Sequence, residues 1–149
     1  MMYRTHLAFA FLIGLFAINI LHPSNQILFM SVVLFAGLLP DIDHPKSKIG
    51  SKVKIIGWLF EHRGFFHSLF MLIIASIIAF FISNKIYATA VFIGFLSHIS
   101  IDAITKQGIM PLHPLSKRSI RGFVETSSVL EYLIFFGIII LSIWKLISF

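Results

Sequence analysis

The sequence predicts an all-α integral membrane protein: a bundle of about five apolar helices, with a short interfacial helix in the Pro40–Phe66 loop. Three observations lead there. Hydrophobic residues make up 58% of the 149-residue chain and 17 residues are Phe, more apolar surface than a soluble domain of this length can bury. Charged residues make up only 12%, about half the usual share of a soluble domain. The mean hydropathy is +0.95, and the apolar residues fall into long runs separated by short polar turns. At this length a single domain, residues 1–149, is expected. With no cysteine, disulfides, thiolate metal ligands and a Cys nucleophile are excluded.

Five apolar runs define the elements: Tyr3–Leu21, Gln26–Leu39, His67–Ser83, Ile86–Ile104 and Val129–Phe149. A membrane-spanning helix needs roughly 17–25 residues, which the first, third, fourth and fifth runs supply. The second is short and would span only by tilting or where the bilayer thins. Arg4 followed by an apolar stretch resembles a signal peptide, but no small-x-small cleavage pattern follows, so a retained helix is expected. The turn His22-Pro23-Ser24-Asn25 couples the first two runs as an antiparallel hairpin. Ser83-Asn84-Lys85 joins the third and fourth runs in the same way. Between Lys52 and Phe60, basic residues alternate with Val53, Ile55, Ile56, Trp58, Leu59 and Phe60, as expected of a helix lying on an anionic leaflet. The Thr105–Ser128 loop, with Gly108, Pro111, Pro114 and Gly122, is expected to be irregular.

If all five runs span, Met1 and the Pro40–Phe66 and Thr105–Ser128 loops share one face. Ten of the 12 Lys and Arg lie there: Arg4, Lys46, Lys48, Lys52, Lys54, Arg63, Lys106, Lys117, Arg118 and Arg121. The positive-inside rule makes that face cytoplasmic, at the cell (inner) membrane. The net charge of +6 is then explained by topology and anionic lipids, so membrane lipids are the expected partners and nucleic acid is not.

The same face collects nine metal-capable or acid–base side chains: His6, Asp41, Asp43, His44, His62, His67, His98, Asp102 and His113. Ionisable groups in or near a bilayer are costly and usually functional. Leu39-Pro40-Asp41-Ile42-Asp43-His44-Pro45 packs two carboxylates and an imidazole between prolines, a donor set suited to zinc, manganese or iron. Asp caps at a helix end are the plain alternative. In Glu61-His62-Arg63-Gly64-Phe65-Phe66-His67-Ser68 the five-residue spacing of His62 and His67 fits a loop-to-helix transition, with Gly64 allowing the bend. Arg63 could clamp a phosphate or carboxylate with two prongs, or simply bind lipid headgroups. His98 and Asp102 stand at i and i+4 on one helix face. They could coordinate one metal, Asp102 could orient His98, or the two could lock helices through a hydrogen bond. His6 is one turn into the first run. His113, Glu125 and Glu131 lie on the same side with no assigned partner.

T-H near the start, L-P-D-I-D-H, H-R-G-F-F-H-S and S-H-x-x-x-D, in that order between apolar runs, resemble the YdjM-like membrane-bound metal-dependent hydrolases. The resemblance covers roughly Thr5 to Pro114. The pattern is more distantly similar to zinc-dependent phospholipase C, an all-helical enzyme with a zinc cluster and an H-x-x-x-D pair matched here by His98 and Asp102. The later H-x-x-x-E pair of those enzymes is missing, so fewer ions are expected: one or two divalent ions, with zinc foremost. His6, Asp41, Asp43, His44, His62, His67, His98 and Asp102 are the expected metal ligands. Asp41 or Asp43 would serve as general base and Arg63 as charge stabiliser, acting on a phosphoester or lipid-like substrate at the cytoplasmic face. Two other readings stand beside this one: a structural metal that staples short helices, and an ion or metal relay. The bare Phe, Ile and Leu of the opposite bilayer half weigh against the relay.

Overall fold

The computed structural model describes residues 1–43 and 64–148, with side chains placed at 1–41 and 64–148. The interfacial helix expected between Lys52 and Phe60 therefore lies outside the described residues, as do His44, His62 and Arg63. Five α-helices carry the described chain: α1 (Tyr3–Leu21), α2 (Gln26–Ala36), α3 (Leu69–Ile82), α4 (Lys85–Ala103) and α5 (Val129–Ile147). Short 3-10 turns, Leu39–Asp43 and Phe65–His67, follow α2 and precede α3. No β-strand occurs among the described residues.

Polar residues start the helices where the apolar runs begin. The Asn25 side chain accepts the backbone N–H of Leu28 at 2.9 Å. Asn84 accepts those of Ile86 and Tyr87. Ser68 and Ser128 cap α3 and α5 through the N–H groups of Met71 and Glu131. Each cap satisfies a donor that the first helical turn leaves without a partner. His22, in the left-handed region at φ 44°, ends α1, which makes it a turn residue.

The helices α1, α4 and α5, each of 19 residues, are long and apolar enough to cross a membrane. At 1.5 Å per residue each reaches about 28 Å, close to the ~30 Å hydrocarbon core. The run beginning at His67 does not yield a full span: α3 has 14 residues. His67 belongs to the 3-10 turn, and Ser68 adopts an extended backbone (φ −103°, ψ 156°) to cap the helix. Those residues are read as helix from hydropathy, yet they serve the turn. Large apolar side chains face outward on every helix, including Phe16, Ile27, Phe81, Phe92 and Leu133. Lipid is the solvent that suits such a surface, and the molecule is an integral membrane protein.

α1 sits among α2, α4 and α5, while α4 packs on α1, α2 and α3. The closest approach is at Gly94 of α4. A Cβ there would lie 2.2 Å from the Val33 carbonyl oxygen and 2.9 Å from both Ala36 Cβ and Gly37 N. The small residues Ala10, Ala36, Gly37 and Gly94 let the α1, α2 and α4 backbones meet, the usual way membrane helices pack without a hydrophobic drive between them. The loop from Thr105 to Ser128 folds back on itself through two isolated bridges, Thr105 with Val124 and Ile109 with Ile120. Gly108, at φ +68°, makes the reversal that an L side chain would resist. The loop also reaches α3, where the Leu69 N–H donates to the Pro111 carbonyl at 2.9 Å. It is thus more ordered than its composition suggests.

Candidate metal centre

The antiparallel path of the chain brings the N-terminal end of α1, the turn after α2, the turn before α3 and the C-terminal end of α4 to one end of the bundle. From these four places come His6, Asp41, His67, and the pair His98 and Asp102. His6, His67, His98 and Asp102 are each no more than 2% exposed. The Asp41 side chain is 19% exposed.

Each imidazole presents Nε2 to the cluster. His98 Nε2 lies 3.3 Å from His67 Nε2, 3.7 Å from Asp41 Oδ1 and 3.7 Å from Asp102 Oδ2. His67 Nε2 is 3.6 Å from Asp102 Oδ2 and 4.0 Å from Asp41 Oδ1. His6 Nε2 is 3.4 Å from Asp102 Oδ1, and the His6 ring stacks on His98 with centroids 3.8 Å apart and planes 10° from parallel. The Met1 ammonium lies 2.7 Å from Asp102 Oδ1.

The helix positions of His98 and Asp102 put them one turn apart, but Asp102 does not orient His98. That task falls to Gly37, whose carbonyl oxygen accepts from His98 Nδ1 at 2.7 Å. This bond assigns the proton to Nδ1 and leaves the Nε2 lone pair facing the cluster, the arrangement typical of a metal-ligating histidine held by a backbone carbonyl. Gly37 can reach His98 because Gly94 lets α2 and α4 touch. His98 and Asp102 share α4 and stand 3.7 Å apart; the His–Asp pair that joins two helices is His6 of α1 with Asp102 of α4, at 3.4 Å.

The donor set fits a divalent ion. Two triads, His6–His98–Asp102 and Asp41–His67–His98, have ligand atoms within 4.8 Å of one another. For a tetrahedral ion with bonds of about 2.0–2.1 Å, adjacent donors stand about 3.3 Å apart. The His67–His98 and His6–Asp102 separations, 3.3 and 3.4 Å, match that edge, and the other imidazole–carboxylate separations run from 3.6 to 4.0 Å. Buried imidazole nitrogens also need partners, and His6 Nδ1 and Nε2 have no hydrogen-bond partner among the described residues. This group of buried nitrogen and oxygen donors could hold a metal ion.

The remaining expected residues separate clearly. Asp43 closes the Leu39–Asp43 turn by its backbone, but its side chain, like His44, His62 and Arg63, lies outside the described residues. His113 belongs to neither triad. Glu125 is exposed and pairs with Lys106 at 2.8 Å, and that ammonium holds its carboxyl below the usual carboxylate range. Glu131 is the residue the sequence reading left without a role. It is fully buried, accepting from Met2 N at 2.6 Å, Thr5 Oγ1 at 3.0 Å and Ser127 N at 2.7 Å. A signal was present: Ser128-Val129-Leu130-Glu131 has the S-x-x-E spacing of a capping box. Nothing local says that the carboxylate also reaches across to α1.

The model of the YdjM inner membrane protein family matches residues 1–148. YvsG of Bacillus subtilis (strain 168) is 39% identical over 111 residues, which cover 70% of this chain and 69% of YvsG. Inner membrane protein YdjM of Escherichia coli (strain K12) is 35% identical over 120 residues, covering 72% of this chain and 61% of that protein. The YdjM protein of Shigella flexneri matches to the same extent. The match thus spans about three-fifths of the length of the two YdjM relatives. No solved structure matches. With a family model matching residues 1–148 and relatives at least 35% identical over the aligned stretch, the chain belongs to the YdjM inner membrane protein family.

Proposed function

We propose that this protein is a membrane-bound metal-dependent hydrolase acting on a phosphoester or lipid-like substrate at the cytoplasmic membrane face. The observation that carries this reading is the convergence of three imidazole Nε2 atoms and two carboxylates at one end of an apolar bundle, with one carboxylate, Asp41, partly open to the outside. His6, His67, His98, Asp102 and Asp41 would hold one or two ions, with zinc foremost for this nitrogen and oxygen donor set. A divalent ion supplies Lewis acidity toward an ester oxygen and acidifies water near neutral pH.

The chain's own groups divide the remaining work by exposure. Asp102 is buried against His6, His67 and the Met1 ammonium, so it serves as a fixed anionic ligand. Asp41 is the more exposed carboxylate and sits on a 3-10 turn, where an entering water could give it a proton. Gly37 keeps His98 in the tautomer that the site needs. From the sequence, Asp43 is a second candidate base, and Arg63, the chain neighbour of Gly64, is the anion clamp. The excess of Lys and Arg in the loops at this end favours a cytoplasmic orientation. A site at headgroup depth favours an amphipathic phosphoester arriving in the membrane plane.

A structural metal is the competing reading, favoured by the near-complete burial of His6, His67, His98 and Asp102, which alone would make a closed four-ligand site. Purified protein in detergent, loaded with zinc or manganese and offered lipid and soluble phosphoesters, separates the two. Hydrolysis that needs both the metal and Asp41 supports the enzyme. Stoichiometric metal with no turnover of any phosphoester would leave the structural reading.

A further inference from the structure

The end of α1 that carries His6 lacks the usual devices of a helix start. Its N-cap is Met2, with no side-chain cap, and its first turn holds no acidic residue. Such a start leaves backbone N–H groups without partners, and the first turn is the part of a helix most prone to fray. His6 stands within reach of that fraying, one residue beyond Thr5.

Glu131 supplies from α5 what α1 does not supply for itself. Its Oε1 accepts from the Met2 backbone N–H at 2.6 Å and from Thr5 Oγ1 at 3.0 Å. Its Oε2 accepts from Ser127 N at 2.7 Å, fixing a residue in the left-handed region at φ 63°. The carboxylate is fully buried, and a negative charge beside a helix N-terminus is favourable. Hydrogen bonds to a charged acceptor are roughly twice as strong as neutral ones. α5 packs on α1. Glu131 itself is occupied by these three donors, which sets it apart from the triads.

We infer that Glu131 is a positioning residue for the metal centre: by capping α1 from a neighbouring helix, it sets the height and ring orientation of His6 against His98 and Asp102. The inference rests on reading the cluster as a metal site. It predicts coupling between Glu131 and His6 that simple stabilisation of α5 would not produce.

The test uses the full-length protein in detergent, with cobalt as the probe ion because its visible bands report ligand geometry. Cobalt affinity and spectra are compared for wild type, Glu131→Ala, Glu131→Gln, His6→Ala and His6→Ala/Glu131→Ala. Glu131→Ala is expected to weaken cobalt binding about tenfold or more, within the ~10–100-fold range of outer-shell partners, and to shift the bands. Glu131→Gln, which can still accept from Met2 and Thr5, should recover most of the affinity. In the His6→Ala background, Glu131→Ala should add less than twofold. Losses that simply multiply, or a Glu131→Ala protein with lower thermal stability and wild-type cobalt binding, would overturn the inference. Should wild type bind no cobalt, the metal reading itself fails. The positioning of His6 by Glu131 is then decided apart from the metal by imidazole NMR: it stands if Glu131→Gln or Glu131→Ala moves the His6 signals and not those of His22, and is overturned if neither moves them.

Discussion

The two donor triads share His98 and differ in almost everything else. His6, His98 and Asp102 come from long helices, α1 and α4, that are locked together through Ala10, Gly37 and Gly94. All three are buried. Asp41 and His67 stand on 3-10 turns flanking the Pro40–Phe66 loop, and Asp41 keeps a fifth of its side chain exposed. His67 is as buried as the first triad, so the opening to the outside rests on Asp41 alone, the one member that could meet a substrate. Under the proposed function, the contrast would give holding to the first and chemistry to the second, with His98 serving both.

Removing the shared member should do the most damage. His98→Ala is expected to abolish stoichiometric zinc and with it all hydrolysis, as read by metal analysis of the purified protein. Zinc retained at wild-type stoichiometry in that variant would break the assignment. Next come the two carboxylates. Asp41→Asn is expected to keep at least the ion held by His6, His98 and Asp102 while hydrolysis falls about 10²–10⁴-fold, the usual contribution of a general base. Asp102→Asn should lose metal and activity together. Equal behaviour of the two variants would remove the distinction between the triads.

A smaller effect is expected at the helix crossing. Gly94→Ala forces a Cβ against the Val33 carbonyl, and such overpacking costs about 1–3 kcal/mol. Because Gly37 adjoins that contact and holds His98 Nδ1, thermal unfolding and zinc affinity should decline together. Lowered stability with unchanged zinc affinity would show that the crossing and the site are separate. The smallest effect is expected at the exposed pair Lys106–Glu125. Lys106→Ala should let the Glu125 carboxyl rise back toward its ordinary range while zinc content stays at the wild-type value. Loss of zinc there would mean that the centre extends into the Thr105–Ser128 loop.

The helical content was legible because apolar runs and their Asn and Ser boundaries are local signals. α1 follows the run Tyr3–Leu21 residue for residue, and α4 is offset from its run by one residue. The His67 run misled because hydropathy does not register a cap: Ser68 ends the turn and starts α3 whatever the apolar count says. His6, Asp41, His67, His98 and Asp102 were legible as candidates because ionisable side chains stand out in an apolar chain. Which of them would be buried and which open was not. Glu131 was passed over because its main partners, Met2 and Thr5, are distant in sequence.

The sequence by itself determined that the chain is an apolar helical bundle and that its ionisable residues gather at one end, since both follow from where polar residues interrupt apolar ones. Only the tertiary structure decided which carboxylate is buried and which is open. It also decided that Gly37 rather than Asp102 orients His98, and that α5 caps α1 through Glu131. These are outcomes of helix crossings, where the close approach at Gly94 brings α2 against α4 beside the Gly37 carbonyl that meets the His98 ring.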